Sequence, residues 1–197
     1  MKIAKKLGKI AVLFTLLIVF CIGAGITAFS FLPANHLPWY QGRFQIASAG
    51  IDVMLMEPYL LSNHTKEGQL YNAIITQWIV DKNDCAAQFW KDASGVILED
   101  QATGSVVIAD HDSQNFATLK DCAVGDIAAI IRADGTIEEY VVTQNFIGIN
   151  AGNDLEYEQG GSALKDNPGG IIVYTCADKT AIPVHILFLQ PKDINTK

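Results

Sequence analysis

Arginine is nearly absent from this chain: its 197 residues include two, Arg43 and Arg132, alongside four histidines, His36, His64, His111 and His185. The first 32 residues contain no aspartate or glutamate but four lysines, so the remainder carries 10 basic against 21 acidic residues. A body of that charge repels phosphate backbones, which argues against a nucleic-acid partner held by counterion release. Several short motifs are also missing. No HExxH, paired CxxC, Walker-type loop, GxGxxG or GxSxG occurs, which leaves zinc hydrolysis, phosphoryl transfer, dinucleotide binding and a serine nucleophile elbow without support. Disorder is excluded in turn, because half of the residues are hydrophobic and 18% are charged.

What the chain does have is one long apolar run. Ile10 to Leu32 is uncharged over 23 residues, and as a helix rising about 1.5 Å per residue it is long enough to cross a hydrocarbon core of about 30 Å. Lysines precede it and an acidic sequence follows, so the positive-inside rule puts the N-terminus in the cytoplasm and the rest outside the cell membrane. A cleaved secretory signal is the competing reading, with Ala28 and Ser30 as small residues near its end, and it exports the same domain. The expected organisation is a cytoplasmic basic segment over 1–9, a single-pass anchor over 10–32, a linker over 33–43 that carries two prolines and Trp39-Tyr40, and one domain over 44–197.

Beyond the linker, short runs of β-branched and apolar residues alternate with turn signals at 44–47, 51–56, 73–80, 95–98, 105–109, 127–132, 137–146, 170–175 and 184–189. Asp134-Gly135 between two of them marks a hairpin over 127–146. Helical signals are confined to 83–91 and to 112–120, where Phe116 and Leu119 fall three apart. No repeated helices stand between strands to serve as crossovers, so the expected fold is mostly β, a closed or nearly closed barrel with one or two short helices. The stretch 148–169, with six glycines or prolines, reads as a long loop.

Three cysteines follow the apolar run, Cys85, Cys122 and Cys176, and an odd number leaves at least one thiol free. Cys85 and Cys122 are a conceivable pair, although nothing in the sequence brings them together. Cys176 closes the apolar strand Gly-Gly-Ile-Ile-Val-Tyr-Thr-Cys where a loop begins, a position from which a rigid scaffold can aim a nucleophile. Taken alone, it reads equally as a small buried hydrophobe. His111 ends another strand, 65 residues earlier.

These segments resemble the sortases, the cysteine transpeptidases of Gram-positive cell surfaces. The resemblance rests on Val-Val-Ile-Ala-Asp-His111, Asn115-Phe116-Ala-Thr-Leu119, Gly125-Asp126-Ile127 and Ile171-Ile-Val-Tyr-Thr-Cys176, in that order and at that spacing, and it extends from about Phe44 to Pro191. It implies a sortase-like barrel in which Cys176 attacks the carbonyl of a sorting signal in a surface protein. His111 protonates the leaving amine, and an envelope amine resolves the thioacyl intermediate. One position departs from the pattern. Where sortases carry an arginine about nine residues after the cysteine, this chain has His185; if the alignment slips, Thr180 or a backbone N–H is left to serve. Histidine offers one donor per ring nitrogen in place of a fixed, permanently charged fork. The aspartates flanking His111, Asp110 and Asp112, are expected to be solvated. The reading calls for no cofactor, although calcium-stimulated sortases imply a role for the acidic loop residues Asp154, Glu156 and Glu158, whose spacing matches no defined ligand loop. A catalytically impaired envelope-binding module and a thiol hydrolase remain alternatives.

Overall fold

The computed structural model describes residues 15–21, 24, 40–57, 77–82, 84–91, 104–152 and 154–192. Contacts divide the chain into two units, Met1–Leu37 and Pro38–Lys197. In the first, residues 15–21 and 24 are helical and exposed; the remainder of the expected span over 10–32 lies outside the described residues. Among the described residues no helix is long and apolar enough to cross a membrane.

The second unit is built from β1 (Tyr40–Ile46), β2 (Ile51–Met56), β3 (Cys85–Lys91), β4 (Ser105–Ala109), β5 (Ile127–Arg132), β6 (Ile137–Asn150), β7 (Leu155–Tyr157), β8 (Ile171–Cys176) and β9 (Pro183–Pro191). Around the sheet the order is β5-β1-β2-β3-β4-β8-β9-β6, and pairing of β5 with β6 closes the ring of eight. Strand β7 hangs on β6 outside the ring. Closure leaves no free edge among those eight strands. Two neighbouring pairs run parallel, β2 with β3 and β4 with β8; the other pairs are antiparallel. Inward residues of every ring strand, among them Phe44, Leu55, Ala86, Ile108, Ile130, Val142, Val173 and Leu187, form one continuous core.

Strands β2, β4 and β5 have the limits expected of them, because runs of β-branched and apolar residues bounded by turn residues are a strong local signal. The Asp134-Gly135 hairpin also forms, with Gly135 at φ 87°, Asp134 Oδ1 accepting from the Thr136 N–H and Arg132 bonded to Thr136 across the turn. Strand β1 begins at Tyr40, inside the stretch assigned to the linker.

Several expectations fail. Residues 83–91, expected as a helix, form strand β3 from Cys85 onward. Its Cys-Ala-Ala-Gln segment has good intrinsic helix formers and no alternation, but it is sandwiched between a parallel and an antiparallel neighbour, and tertiary pairing overrides propensity. Of the strand expected over 73–80, residues 77–80 are a helical turn, with the Asp81 N–H donating to the Gln77 carbonyl; residues 73–76 and the strand expected at 95–98 lie outside the described residues. The helix expected over 112–120 is a succession of turns ending in a 3-10 turn, Leu119–Asp121. Phe116 and Leu119 still share one buried face, and Phe116 packs edge-on against Phe44 at 6.2 Å between ring centres. The loop over 148–169 is largely ordered, holding the end of β6, strand β7 and a 3-10 turn, Ala163–Lys165.

Candidate active site

Strand β8 is set in place from below by tight packing. Asn167, 1% exposed, donates through its amide to the Ile171 and Leu189 carbonyls at 2.9 and 3.4 Å and accepts from Gln190 at 2.5 Å. At Gly170 the β9 backbone approaches so closely that a Cβ would stand 2.3 Å from the Leu189 carbonyl oxygen, which only glycine avoids. From this fixed start β8 runs through the buried Ile171, Ile172 and Val173 to end at Cys176, whose side chain is half-buried and unbridged.

The parallel register of β4 and β8 pairs Ala109 with Tyr174. One step on, Thr175 Oγ1 donates to the Asp110 carbonyl at 2.7 Å. The ladder itself ends at Ala109 and Tyr174, with His111 and Cys176 each two residues further along the chain. A groove of about 120 Å³ opens at this end of the barrel, lined by Cys176, Thr175, His185, Lys120, Asp112 and Phe116 among others. Cys176 and His185 therefore meet there. His111 is not part of the lining; Asp112, next in sequence, takes that place.

The imidazole of His111 is occupied instead by a carboxylate that sequence reading missed. Its Nε2 lies 3.1 Å from Asp81 Oδ1, just after the helical turn over 77–80. Nothing marked Asp81 in advance, because it lies 30 residues upstream in a segment read as ending a strand. The flanking aspartates differ from each other and from expectation. Asp112 is exposed, but Asp110 is 5% exposed, accepts from the His111 N–H and from Asn115 at 2.7 Å each, and is pushed up to about 6 by burial. Strand-end geometry turns it back over its own chain rather than into water.

Electrostatics in the groove favour neutral groups. Burial holds the Cys176 thiol above its ordinary value, and the carboxylates of Asp112 and Asp178 add to this while its own backbone N–H opposes it. His185 continues the inward row of Leu187 and Leu189 to the barrel mouth. Burial holds its imidazole below the ordinary histidine value, with the Lys120 charge acting in the same direction. It can thus donate one hydrogen bond while neutral. Lys120 was also missed, although it directly follows the Phe-x-x-Leu turn on which the resemblance draws; its segment is held by Asn145, whose amide donates to the Lys120 and Cys122 carbonyls at 3.2 and 2.7 Å. Thr180 is committed to Asp178 and is not a groove residue. Both arginines serve elsewhere, Arg43 paired with Asp52 on β1–β2 and Arg132 with Glu138 on the β5–β6 hairpin, each at 2.7 Å.

The remaining thiols do not pair. Cys85 and Cys122 are free and buried, Cys85 donating to the Ile79 carbonyl at 3.2 Å. In the acidic loop Asp154 is used by its own segment, accepting from the Leu155 N–H and from Ser162. Among the described residues no three His, Cys, Asp or Glu side chains are grouped to hold a metal ion.

No family model matches the sequence, and no curated protein matches it. Solved structures do. Sortase E1 from Streptomyces coelicolor, with a tripeptide in its active site, aligns over 78% of this chain and 88% of its own at 13% identity and a TM-score of 0.50. The domain has the sortase fold. Sortase C from Clostridium perfringens SM101 aligns over 81% of this chain and 73% of its own (12% identity, TM-score 0.47), and Listeria monocytogenes sortase A over 78% and 88% (13% identity, TM-score 0.46). At these identities the likeness concerns the path of the chain. Within the sortase fold of this protein, the chemistry has to be argued from its own groove.

Proposed function

We propose that the protein is a sortase-like cysteine transpeptidase, exported and anchored by the apolar segment over 10–32, that cleaves a sorting peptide through a thioacyl intermediate on Cys176. The observation that carries this reading is a free, half-buried thiol at the end of β8, opening on a groove, with His111 two residues past the end of the neighbouring parallel strand β4. The fold supports it, and the tripeptide recorded in the Streptomyces enzyme suggests the class of ligand that a groove at this end of the barrel would take.

Because the thiol resists ionisation, its proton has to leave as the sulfur attacks, and His111 is the base at hand. The S–C bond forms and the carbonyl oxygen takes up negative charge. Collapse breaks the C–N bond, and the amine departs with the proton from His111. An incoming amine then attacks the thioester and releases the Cys176 sulfur. Donors facing the developing oxyanion come from Lys120 and His185, since no arginine lines the groove. An ammonium is a point charge without the bidentate fork, so this site stabilises the oxyanion less directionally.

Replacing Cys176 by alanine is expected to abolish thioacyl capture of a sorting peptide without loss of fold, measured by mass spectrometry of the intact protein; capture by the variant would remove the assignment. Lys120→Met is expected to slow acylation about a hundredfold, with Lys120→Arg recovering most of it, an effect of the size that one oxyanion donor contributes. The missing arginine favours a second reading, hydrolysis or slow turnover in place of efficient transfer. Product analysis with and without an added amine separates the two: an amide product that forms only with amine supports transfer.

A further inference from the structure

The contact between Asp81 and His111 assigns the two imidazole nitrogens. Asp81 Oδ1 accepts from Gln77 Nε2 at 2.8 Å and lies 3.1 Å from His111 Nε2. Hydrogen bonds from His111 and Gln77 hold the Asp81 carboxyl below its ordinary range, so it is ionised at neutral pH and can only accept. The proton in the contact therefore belongs to His111 Nε2. The second amide hydrogen of Gln77 is the competing donor to that nitrogen, but at 3.5 Å its contact is the longer one, and an unprotonated Nε2 would leave a ring lone pair facing the ionised carboxylate at 3.1 Å. Among the described residues no hydrogen bond reaches Nδ1.

The carboxylate is presented rigidly. Ile79 and Val80 are buried against the barrel, at 0% and 7% exposure. The Ile79 carbonyl accepts from the Cys85 thiol. Gln114, three residues past His111, has its amide turned to donate to the Val80 and Lys82 carbonyls at 3.1 and 3.2 Å. The turn bearing Asp81 and the turn bearing His111 are thus locked to each other by contacts other than the ion pair. The side chains themselves are 58% and 30% exposed, and a pair so open to water contributes little to stability. Its consequence is orientation.

We propose that Asp81 is a positioning residue: it fixes neutral His111 as the Nε2–H tautomer and makes Nδ1 the nitrogen that exchanges protons with Cys176 and the leaving amine. The role of Nδ1 rests on the function proposed above, whereas the tautomer does not. In the acylation step Nδ1 takes the thiol proton and gives the doubly protonated ring, with Asp81 facing the Nε2–H. When the C–N bond breaks, Nδ1–H passes that proton to the nitrogen and the ring returns to the Nε2–H form. The oxygen of Asp81 never takes the proton.

The test is nitrogen NMR of the full chain labelled with 15N-histidine, at about pH 8.5 where an ordinary imidazole is neutral, with His111 assigned by its loss in His111→Gln. The expected spectrum has a pyrrole-type Nε2 and a pyridine-type Nδ1. Asp81→Asn is expected to bring in a substantial Nδ1–H population, and Asp81→Glu to restore the original form. In peptide acylation Asp81→Asn is expected to lower kcat about tenfold with KM unchanged, while methanethiosulfonate labelling of Cys176 keeps its rate, a combination that loss of structure would not produce. A pyrrole-type Nδ1 in the parent protein, or an unchanged tautomer in Asp81→Asn, overturns the assignment. If the tautomer behaves as expected but the parent protein acylates no peptide, the proposed function falls and the positioning role of Asp81 stands.

Discussion

The barrel has two places where neighbouring strands run parallel, and each bears a cysteine at one end. In the β2–β3 pair Cys85 opens β3, opposite Met54, and is sealed with 0% exposure. In the β4–β8 pair Cys176 closes β8 and faces a groove. The same side chain therefore meets two environments. Burial pushes the Cys85 thiol up to about 12 and makes it an inert hydrophobe that donates to one carbonyl; at Cys176 burial also raises the value, but the side chain is half-buried and lines the groove, where water and ligand can reach the sulfur. Cys122, buried after the 3-10 turn and pushed up to about 11, follows Cys85. Which end of a strand a cysteine occupies, and whether a loop covers that end, decides between structure and chemistry.

The largest effect that would break this contrast concerns labelling. On a Cys21→Ser background, Cys176→Ala is expected to remove all fast reaction with a methanethiosulfonate reagent, while Cys85→Ala and Cys122→Ala leave it intact; fast labelling that persists without Cys176 would make the two parallel pairs equivalent. Next in size is Gly170→Ala at the start of β8. Its methyl group has no room against the Leu189 backbone, and a loss of about 2 kcal/mol or more in urea unfolding is expected. A smaller effect appears at high pH. An unfolded thiol titrates near about 8.5, whereas folded Cys85 and Cys122 hold their protons to about 12 and about 11. The fold thus binds the proton more tightly, and that contribution is intact below about pH 8.5 and lost as pH climbs towards the folded values. The urea midpoint should fall above about pH 9, and less steeply in Cys85→Ala. The smallest effect is expected on the opposite side of the ring, where β1 lies four strands from β8 in either direction. Arg43 and Asp52 are exposed there, and Asp52→Asn should cost under about 1 kcal/mol and leave labelling of Cys176 unchanged.

The parts of this architecture legible in the sequence were those written in local pattern. Runs of β-branched and apolar residues between turn signals located β2, β4, β5 and the Asp134-Gly135 hairpin, and the spacing of Phe116 and Leu119 identified a buried face even though no helix formed around it. Cys176 and His111 stood out because each ends or follows an apolar strand, and His185 because it stands nine residues after Cys176, where the resemblance expects an arginine. Strand β3 was illegible, since Cys-Ala-Ala-Gln carries no β-branched residue and its extended form comes from the neighbours that pair with it on both sides. Asp81 and Lys120 were illegible for a related reason: a hydrogen bond between residues 81 and 111, and a groove shared by residues 120, 176 and 185, depend on how distant segments are brought together.

By itself, then, the sequence determined an acidic, mostly β domain behind an apolar run, with a cysteine at the end of one strand and a histidine at the end of another, because hydrophobic periodicity and turn chemistry act over a few residues at a time. Only the tertiary structure decided that those strand ends stand side by side, that a distant aspartate holds the imidazole, and that one thiol of the barrel opens on a groove while two are sealed. Register, burial and desolvation are properties of the closed ring of strands, and no short window of sequence contains them.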